Sequence, residues 1–254
     1  MPATDASSAS NMRSLERAID VLEVLDSSTQ PLRLSEISRR AGLHVATTKR
    51  ILTVLESRGR VEHDEAGFRA GLALLFGAHA YLESSPLVAH ARPVVQELAS
   101  VTGYTASLFA RSGLARAVVL RVEGTSPMRY VLPTGERLPL TLGAGKVLAA
   151  YLEPDELERL VESEQDHPSA TGERQTRAEL DRDLAAVREQ GYYFALQERA
   201  IGVGSIAAPI LNAEGRCVAG IQIAGRVQEL TELREQEVAV EVRRAAAVIA
   251  QKLG

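Results

Sequence analysis

The 254-residue sequence contains no tryptophan, and aromatic residues make up 4% of it. Broad stacking platforms of the kind that hold single-stranded nucleic acid are therefore scarce. There is one cysteine, Cys217. It cannot close an internal disulfide, which points to a reducing compartment, the cytoplasm. Its place in an apolar run suits a buried small hydrophobe better than a nucleophile. The five histidines (His44, His63, His79, His90, His167) are scattered, with no two at ligand spacing, so no metal site is expected. No Ser, Cys or Lys stands in a recognisable nucleophile motif, and no catalytic residue is expected. No apolar run approaches the length of a membrane span. The first eleven residues, MPATDASSASN, lack the basic and apolar regions of a signal peptide and are expected to form a disordered tail.

Two glycine-rich stretches invite a nucleotide cofactor, and both fail. Gly143-Ala144-Gly145-Lys146 has Leu140 where a phosphate loop needs its first glycine and Val147 where it needs Ser or Thr. Gly202-Val203-Gly204-Ser205-Ile206-Ala207 fits a loose dinucleotide fingerprint, but strand-forming residues and Pro209 follow it rather than a helix. No cofactor is expected. The Gly143 stretch reads instead as a glycine-rich helix start whose open N–H groups form an anion site. The other reading is a turn that only lets a helix approach a sheet closely.

What is present is a helix-turn-helix pattern between Leu34 and Arg60. Ser35 to Ala41 reads as a first helix, Gly42 as its left-handed end, and His44 to Arg58 as a second helix closed by Gly59. Thr48, Ile51, Leu52 and Leu55 recur at 3, 4 and 7 and make one buried face. The opposite face carries His44, Ala46, Thr47, Lys49, Arg50 and Thr53, side chains of the sort that reach phosphates and base edges. Any helical hairpin has a polar face. Two features favour DNA here. Between Arg33 and Arg60 seven basic residues stand against two acidic ones, in a chain of net charge -4. Val61 to Arg69 then reads as a hairpin, a wing with Arg69 on it.

The chain divides into a tail (1–11), a winged helix-turn-helix domain (12–71), a linker helix (72–85) and a second domain (86–254). The first helix is expected from Ser14 to Asp26, burying Leu15, Ala18, Ile19, Leu22 and Leu25. The linker, Leu72 to Ser84, is apolar on two sides and so needs cover on two sides. The same helix of a partner chain, or the neighbouring domain, would supply it; the linker is expected to make a homodimer that presents two reading helices to a palindromic or near-palindromic operator. His79 belongs to this stripe. From Pro86 helices and strands mix. A helix is expected to start near Pro93, and strands at Tyr104–Ala110, Leu114–Val122, Met128–Leu132, Tyr192–Leu196, Ser205–Leu211 and Cys217–Ala224. Helices are expected over Gly143–Leu152, Pro154–Glu162 and from Thr176 in a capping box with Glu179, with a last one capped by Thr231. The fold class is α+β.

The segments Arg13-Ser14-Leu15-Glu16-Arg17-Ala18, Leu34-Ser35-Glu36-Ile37, Gly42-Leu43, Arg50-Ile51-Leu52 and Leu55-Glu56 with Gly59 resemble IclR-type bacterial transcriptional regulators. The resemblance continues through Leu138-Pro139-Leu140 into Gly143-Ala144-Gly145-Lys146, Gly191-Tyr192, and Glu198 with Gly202 and Ile206-Ala207-Ala208-Pro209. It implies a GAF-like effector-binding domain, a linker that helps make the dimer, often a tetramer as a dimer of dimers, and a ligand-responsive repressor or activator of a catabolic or metabolic operon. It implies also that the Gly143–Gly145 turn borders the effector pocket and can hold a ligand carboxylate. Members that take small polar acids place an acidic residue shortly before the position of Glu198, and two serines in the strand matching Ile221 to Gly225. Here those regions read Phe194-Ala195-Leu196 and Ile221-Gln222-Ile223-Ala224. The expected effector is therefore an aromatic or otherwise more apolar acid, with Gln222 as a polar contact and Leu108, Phe109 and Met128 as walls. The competing reading is a ligand-independent DNA-binding protein whose second domain only oligomerises.

Overall fold

The computed structural model of the chain describes residues 4–125, 132–163, 168–230 and 232–254, with side chains described from residue 12 onward and not at 232–234. The chain forms two compact units, Met1–Tyr81 and Leu82–Gly254.

The first unit opens with α1 (Thr4–Asp26). It begins ahead of the expected Ser14 and takes in most of the segment expected as a tail. Val21 and Leu25 are buried, whereas Leu15 and Ile19, expected on the buried stripe, stand exposed beside Met12. The helix is apolar on two sides, and the rest of the unit covers one of them. α2 (Leu34–Arg40) and α3 (Val45–Ser57) follow. Gly42 between them holds φ at +63° with nothing within 4 Å of a built Cβ, so backbone conformation alone calls for glycine. Ser38 Oγ donates to the Leu43 carbonyl at 2.5 Å across the turn. His44 caps α3, its Nδ1 accepting from Ala46 N at 3.3 Å. Thr48 and Leu52 are buried, and Ile51 and Leu55 pack on a core of Val21, Leu25, Leu32 and Ile37. β1 (Val61–Asp64) and β2 (Gly67–Ala70) form the wing, antiparallel from Val61↔Ala70 to Asp64↔Gly67. Leu32 and Phe68 exchange N–H···O bonds of 2.8 and 2.9 Å, adding a bridge to the hairpin's outer edge. α4 (Ala73–Ser84) buries none of its residues.

The second unit carries α5 (Pro86–Thr102), which starts earlier than the Pro93 start expected from sequence. Ser85 caps it, Oγ accepting from Val88 N at 3.4 Å. Pro86 suits the first turn, which needs no N–H. Pro93 lies inside the helix and removes one ladder bond there. A six-stranded antiparallel sheet is built from β3 (Thr105–Ser112), β4 (Ala115–Val122), β5 (Arg137–Pro139), β6 (Tyr193–Leu196), β7 (Val203–Leu211) and β8 (Cys217–Arg226), in the order β5-β4-β3-β8-β7-β6. β5 was not expected; three residues are too short to show a period. The expected Met128–Leu132 strand falls on residues outside those described except Leu132, and so does the Thr231 cap.

Each face of the sheet has its own cover. α5 and α9 (Glu232–Leu253) pack on one, burying Leu98, Leu108, Ile206, Ile221, Val242 and Ile249. On the other lie a 3-10 turn (Gly143–Gly145), α6 (Lys146–Ala149), α7 (Pro154–Ser163) and α8 (Arg177–Gln190), burying Phe109, Val147, Leu148, Leu160, Leu184 and Ala207. The Thr176–Glu179 capping box forms as expected: Glu179 Oε2 accepts from Thr176 N at 2.8 Å, and Thr176 Oγ1 from Glu179 N at 3.3 Å. Among the described residues no helix is long and apolar enough to cross a membrane.

Candidate functional site

In the first unit the outward face of α3 exposes Lys49, Arg50, Thr53 and Ala46, with His44 at its start and Thr47 half-buried. Thr53 Oγ1 is turned back, donating to the Lys49 carbonyl at 3.0 Å. Among the described residues neither Lys49 nor Arg50 enters an ion pair. The neighbouring cations differ. Arg39 and Arg40 both grip Glu36, at 2.8 and 2.6 Å. Hydrogen bonds from Arg39 and then Arg40 hold that carboxyl down at about 2. Arg69 is held by Glu62 at 3.3 Å and Asp64 at 2.5 Å within the wing. Its hydrogen bond keeps the Asp64 carboxyl below the usual carboxylate range. Lys49 and Arg50 on the outward face of α3 thus differ from Arg39, Arg40 and Arg69, whose charge is matched within the domain.

In the second unit a cavity opens on the α6–α8 face of the sheet. Its interior volume is about 30 Å³, and it opens to solvent at its mouth. Its walls are Arg116 from β4, Leu132, Gly143 and Ala144 at the 3-10 turn, Ala195 from β6, Val203 and Ser205 from β7, and Gln222 and Ala224 from β8. Glu198, Arg199 and Ala200 close it from the loop between β6 and β7. That loop is pinned at both ends. Gln197 N donates to Val203 O at 2.8 Å, and Gln197 Oε1 accepts from Gly202 N at 2.8 Å. Gln197 pays for this closure with a left-handed φ of 55°.

Behind the cavity lies an ionic cluster built around the buried Lys146. Lys146, 2% exposed, donates to Asp183 Oδ2 at 2.8 Å, Glu198 Oε2 at 2.9 Å and Tyr193 Oη at 2.8 Å. Tyr193 Oη donates to Glu198 Oε1 at 2.6 Å. Burial, followed by the charges of Glu198 and Asp183, pushes the Tyr193 phenol upward, so it stays a proton donor. Gln175 Nε2 holds Asp183 from the far side at 2.6 Å. Glu198 Oε2 also accepts from Gly143 N at 2.7 Å. A carboxylate of the protein itself therefore occupies the anion site foreseen at this turn.

Of the expected effector residues, the structure gathers Gly143, Ala144, Ala195, Glu198, Gln222 and Ala224 around one cavity. Others lie elsewhere. Leu108 points to the α5/α9 core, because alternation along β3 puts it on the opposite face from Ser107, the neighbour of Gln222. Phe109 faces the right side but is buried against Gly220 and the Arg116 guanidinium, whose Cζ sits 4.7 Å from the ring centroid. Gly145 is packed beneath the turn, where a Cβ would meet Pro139 O at 2.5 Å and Leu140 O at 2.6 Å; here the close-approach reading of the glycines holds. Leu196 is exposed on β6. Met128 lies outside the described residues. Sequence reasoning missed Arg116, Leu132, Arg199, Ala200, Val203 and Ser205. Arg116 left one signal, a charge next to the apolar run 117–120 of β4. Cys217 is pushed up to about 12 by burial, which fits a small hydrophobe and not a thiolate nucleophile.

Comparison with known proteins agrees with this architecture. Residues 79–251 match the family described as bacterial transcriptional regulator IclR C-terminal, and residues 14–65 match the IclR helix-turn-helix domain. The HTH-type transcriptional regulator BhcR of Paracoccus denitrificans is 32% identical over 90% of this chain and 83% of its own length. The transcriptional repressor IclR of Escherichia coli is 30% identical over 95% and 90%. These relatives are regulators rather than enzymes. Among solved structures, an IclR family regulator from Brucella abortus superposes with a TM-score of 0.80 at 21% identity, covering 95% of this chain and 92% of that one. An IclR homologue from Microbacterium hydrocarbonoxydans, complexed with 4-hydroxybenzoate, superposes with a TM-score of 0.68 at 22% identity, covering 94% and 98%. The chain belongs to the IclR family of bacterial transcriptional regulators.

Proposed function

We propose that this protein is a cytoplasmic, ligand-responsive regulator that binds operator DNA as a homodimer and senses a small organic acid of aromatic or relatively apolar character. The observation that carries the reading is the pairing, in one chain, of an exposed cationic face on α3 with a largely apolar cavity that carries a few polar groups, inside a separate sheet unit. The bound 4-hydroxybenzoate of the Microbacterium relative supports the ligand class. A ring exceeds the interior space of the cavity, so binding has to move the Gln197–Val203 loop or the side chains on it. Ligand binding would then alter operator affinity by favouring one arrangement of the two reading heads. Thermal unfolding should rise with the right acid, because binding to the native state adds to apparent stability. The same acid should change retention of DNA from the gene's own promoter. A panel of aromatic and aliphatic acids that shifts neither quantity, with promoter binding intact, would favour a ligand-independent DNA-binding protein whose second unit serves oligomerisation only.

Lys49 and Arg50 are the first candidates for DNA contact, then Thr47 and His44, with Ala46 and Thr53 beside them. Arg69 ranks last because Glu62 and Asp64 already hold it. Arg50→Ala should weaken operator binding by about 10- to 100-fold, the worth of one good base or phosphate contact. Its melting temperature should stay at the wild-type value, since the side chain is exposed. Fluorescence anisotropy on a promoter fragment at fixed salt checks this; wild-type affinity would rule out the docking by this face.

A further inference from the structure

We propose that Gln222 selects the effector by pairing its side-chain amide with a neutral hydroxyl on the bound acid. The inference rests on the cavity being the effector site, and it narrows that reading to acids that carry a hydroxyl. It concerns the neutral polar group of the ligand and leaves the acid group to the rest of the cavity, the Gly143 turn included.

Gln222 stands on β8, an inner strand of the sheet. It is 3% exposed, yet it lines the cavity. Antiparallel partners share a face of the sheet, so Gln222 lies in one row with Ser107 of β3 and Ala207 of β7. In the next row Ala224 lies between Thr105 and Ser205. These neighbours are short. None can enclose an amide carried on two methylenes. Tyr193, further along the Gln222 row on β6, is committed to Lys146 and Glu198. Among the described residues no hydrogen bond engages the Gln222 amide, and neither of its polar atoms is sealed off from the cavity.

A buried amide without a partner is costly, and folds seldom keep one. The carbonyl oxygen of Gln222 needs a donor and its NH2 needs an acceptor. A carboxylate brings acceptors only, so it could serve the NH2 alone. A hydroxyl does both. It can donate to Gln222 Oε1 and accept from Nε2, or from Ser205 Oγ on the adjoining strand. An acid without a hydroxyl would displace water from Gln222 Oε1 and leave that oxygen unpaired, and this loss is what discriminates.

Calorimetry on the full chain tests the pairing with matched probes: 3- and 4-hydroxybenzoate against 3- and 4-methylbenzoate, in which a methyl of similar size replaces the hydroxyl. At least one hydroxy acid should bind about 10-fold or more tightly than its methyl counterpart. Gln222→Met keeps the reach of the side chain without its hydrogen-bonding groups. It should abolish that preference. Without ligand it should melt at or above the wild-type temperature, because the amide has no bond within the protein to lose. The hydroxy-to-methyl ratio is measured on the wild type, so the inference stays testable if Gln222→Met does not fold. Equal binding of hydroxy and methyl acids by the wild type, or a preference kept by a folded Gln222→Met, would overturn the role of Gln222 and leave the effector site standing. A melting temperature well below wild type would overturn it too, since it would mark the amide as a structural group. If neither these acids nor a wider panel bind the folded wild type, the effector reading falls and this inference falls with it.

Discussion

Replacing Leu75 and Phe76 together by glutamate is expected to turn the protein into a monomer and to weaken operator binding by more than about 100-fold, the usual gain from joining two reading heads. α4 buries none of its residues although Leu75, Phe76 and Tyr81 are large and apolar, and Leu72 just ahead of it is exposed as well. Phe76 is 67% exposed. Lone exposed hydrophobes are common on any surface, but four between residues 72 and 81 are the mark of an interaction face. The first unit offers a second such stripe, Met12, Leu15 and Ile19 on α1. Two-fold pairing would cover both helices with their own copies and set two α3 helices a fixed distance apart. Two glutamates on α4 would place like charges opposite each other in that contact without disturbing a buried side chain. Sedimentation velocity reports the oligomer, and anisotropy on promoter DNA reports the affinity. A variant that still sediments as the wild-type species would exclude α4 from the interface.

Lys146→Met should destabilise the protein by about 3–5 kcal/mol, the cost of removing one partner from a buried ion pair. Expressed as melting temperature, that is a fall of roughly 6–20 °C for a unit of this size. The side chain that replaces Lys146 would fill similar space, so the loss would report charge rather than a cavity. Asp183 and Glu198 would then face each other across Tyr193 without the ammonium between them. Glu198 would also loosen its hold on Gly143 N, so the wall of the cavity should slacken along with the core. Circular dichroism melts of both proteins in one buffer decide the matter. A change within about 1 kcal/mol, the range of an exposed pair, would mean that the cluster contributes little to stability.

Both expectations depend on which features sequence can carry. The helix-turn-helix was legible because its signals are local. Gly42 must adopt positive φ, Thr48, Ile51, Leu52 and Leu55 repeat at helical spacing, and the wing closes within ten residues of α3. The Thr176–Glu179 box and most strands of the second unit were legible for the same reason, since each is decided by residues within a few positions of one another. Six of the expected effector residues do meet, because the glycine turn, Glu198 and the Gln222 strand are recognisable marks in the chain.

Other features came only from tertiary structure. Hydrophobic period shows that a helix has apolar sides, but not which side its own unit covers; on α1 the covered side holds Val21 and Leu25 and leaves Leu15 and Ile19 in the open. A strand that is apolar on both faces hides its orientation, and so Leu108 and Phe109 were indistinguishable until the α5 and α9 helices claimed one face of the sheet. Sequence alone determined that this chain carries a helix-turn-helix head and an α+β domain, because short-range backbone preferences and periodicity fix such elements. Only the fold decided that Glu198 would fill the anion site at Gly143 and that Arg116 would be buried in the cavity wall, because both depend on groups far apart in the chain meeting across the sheet.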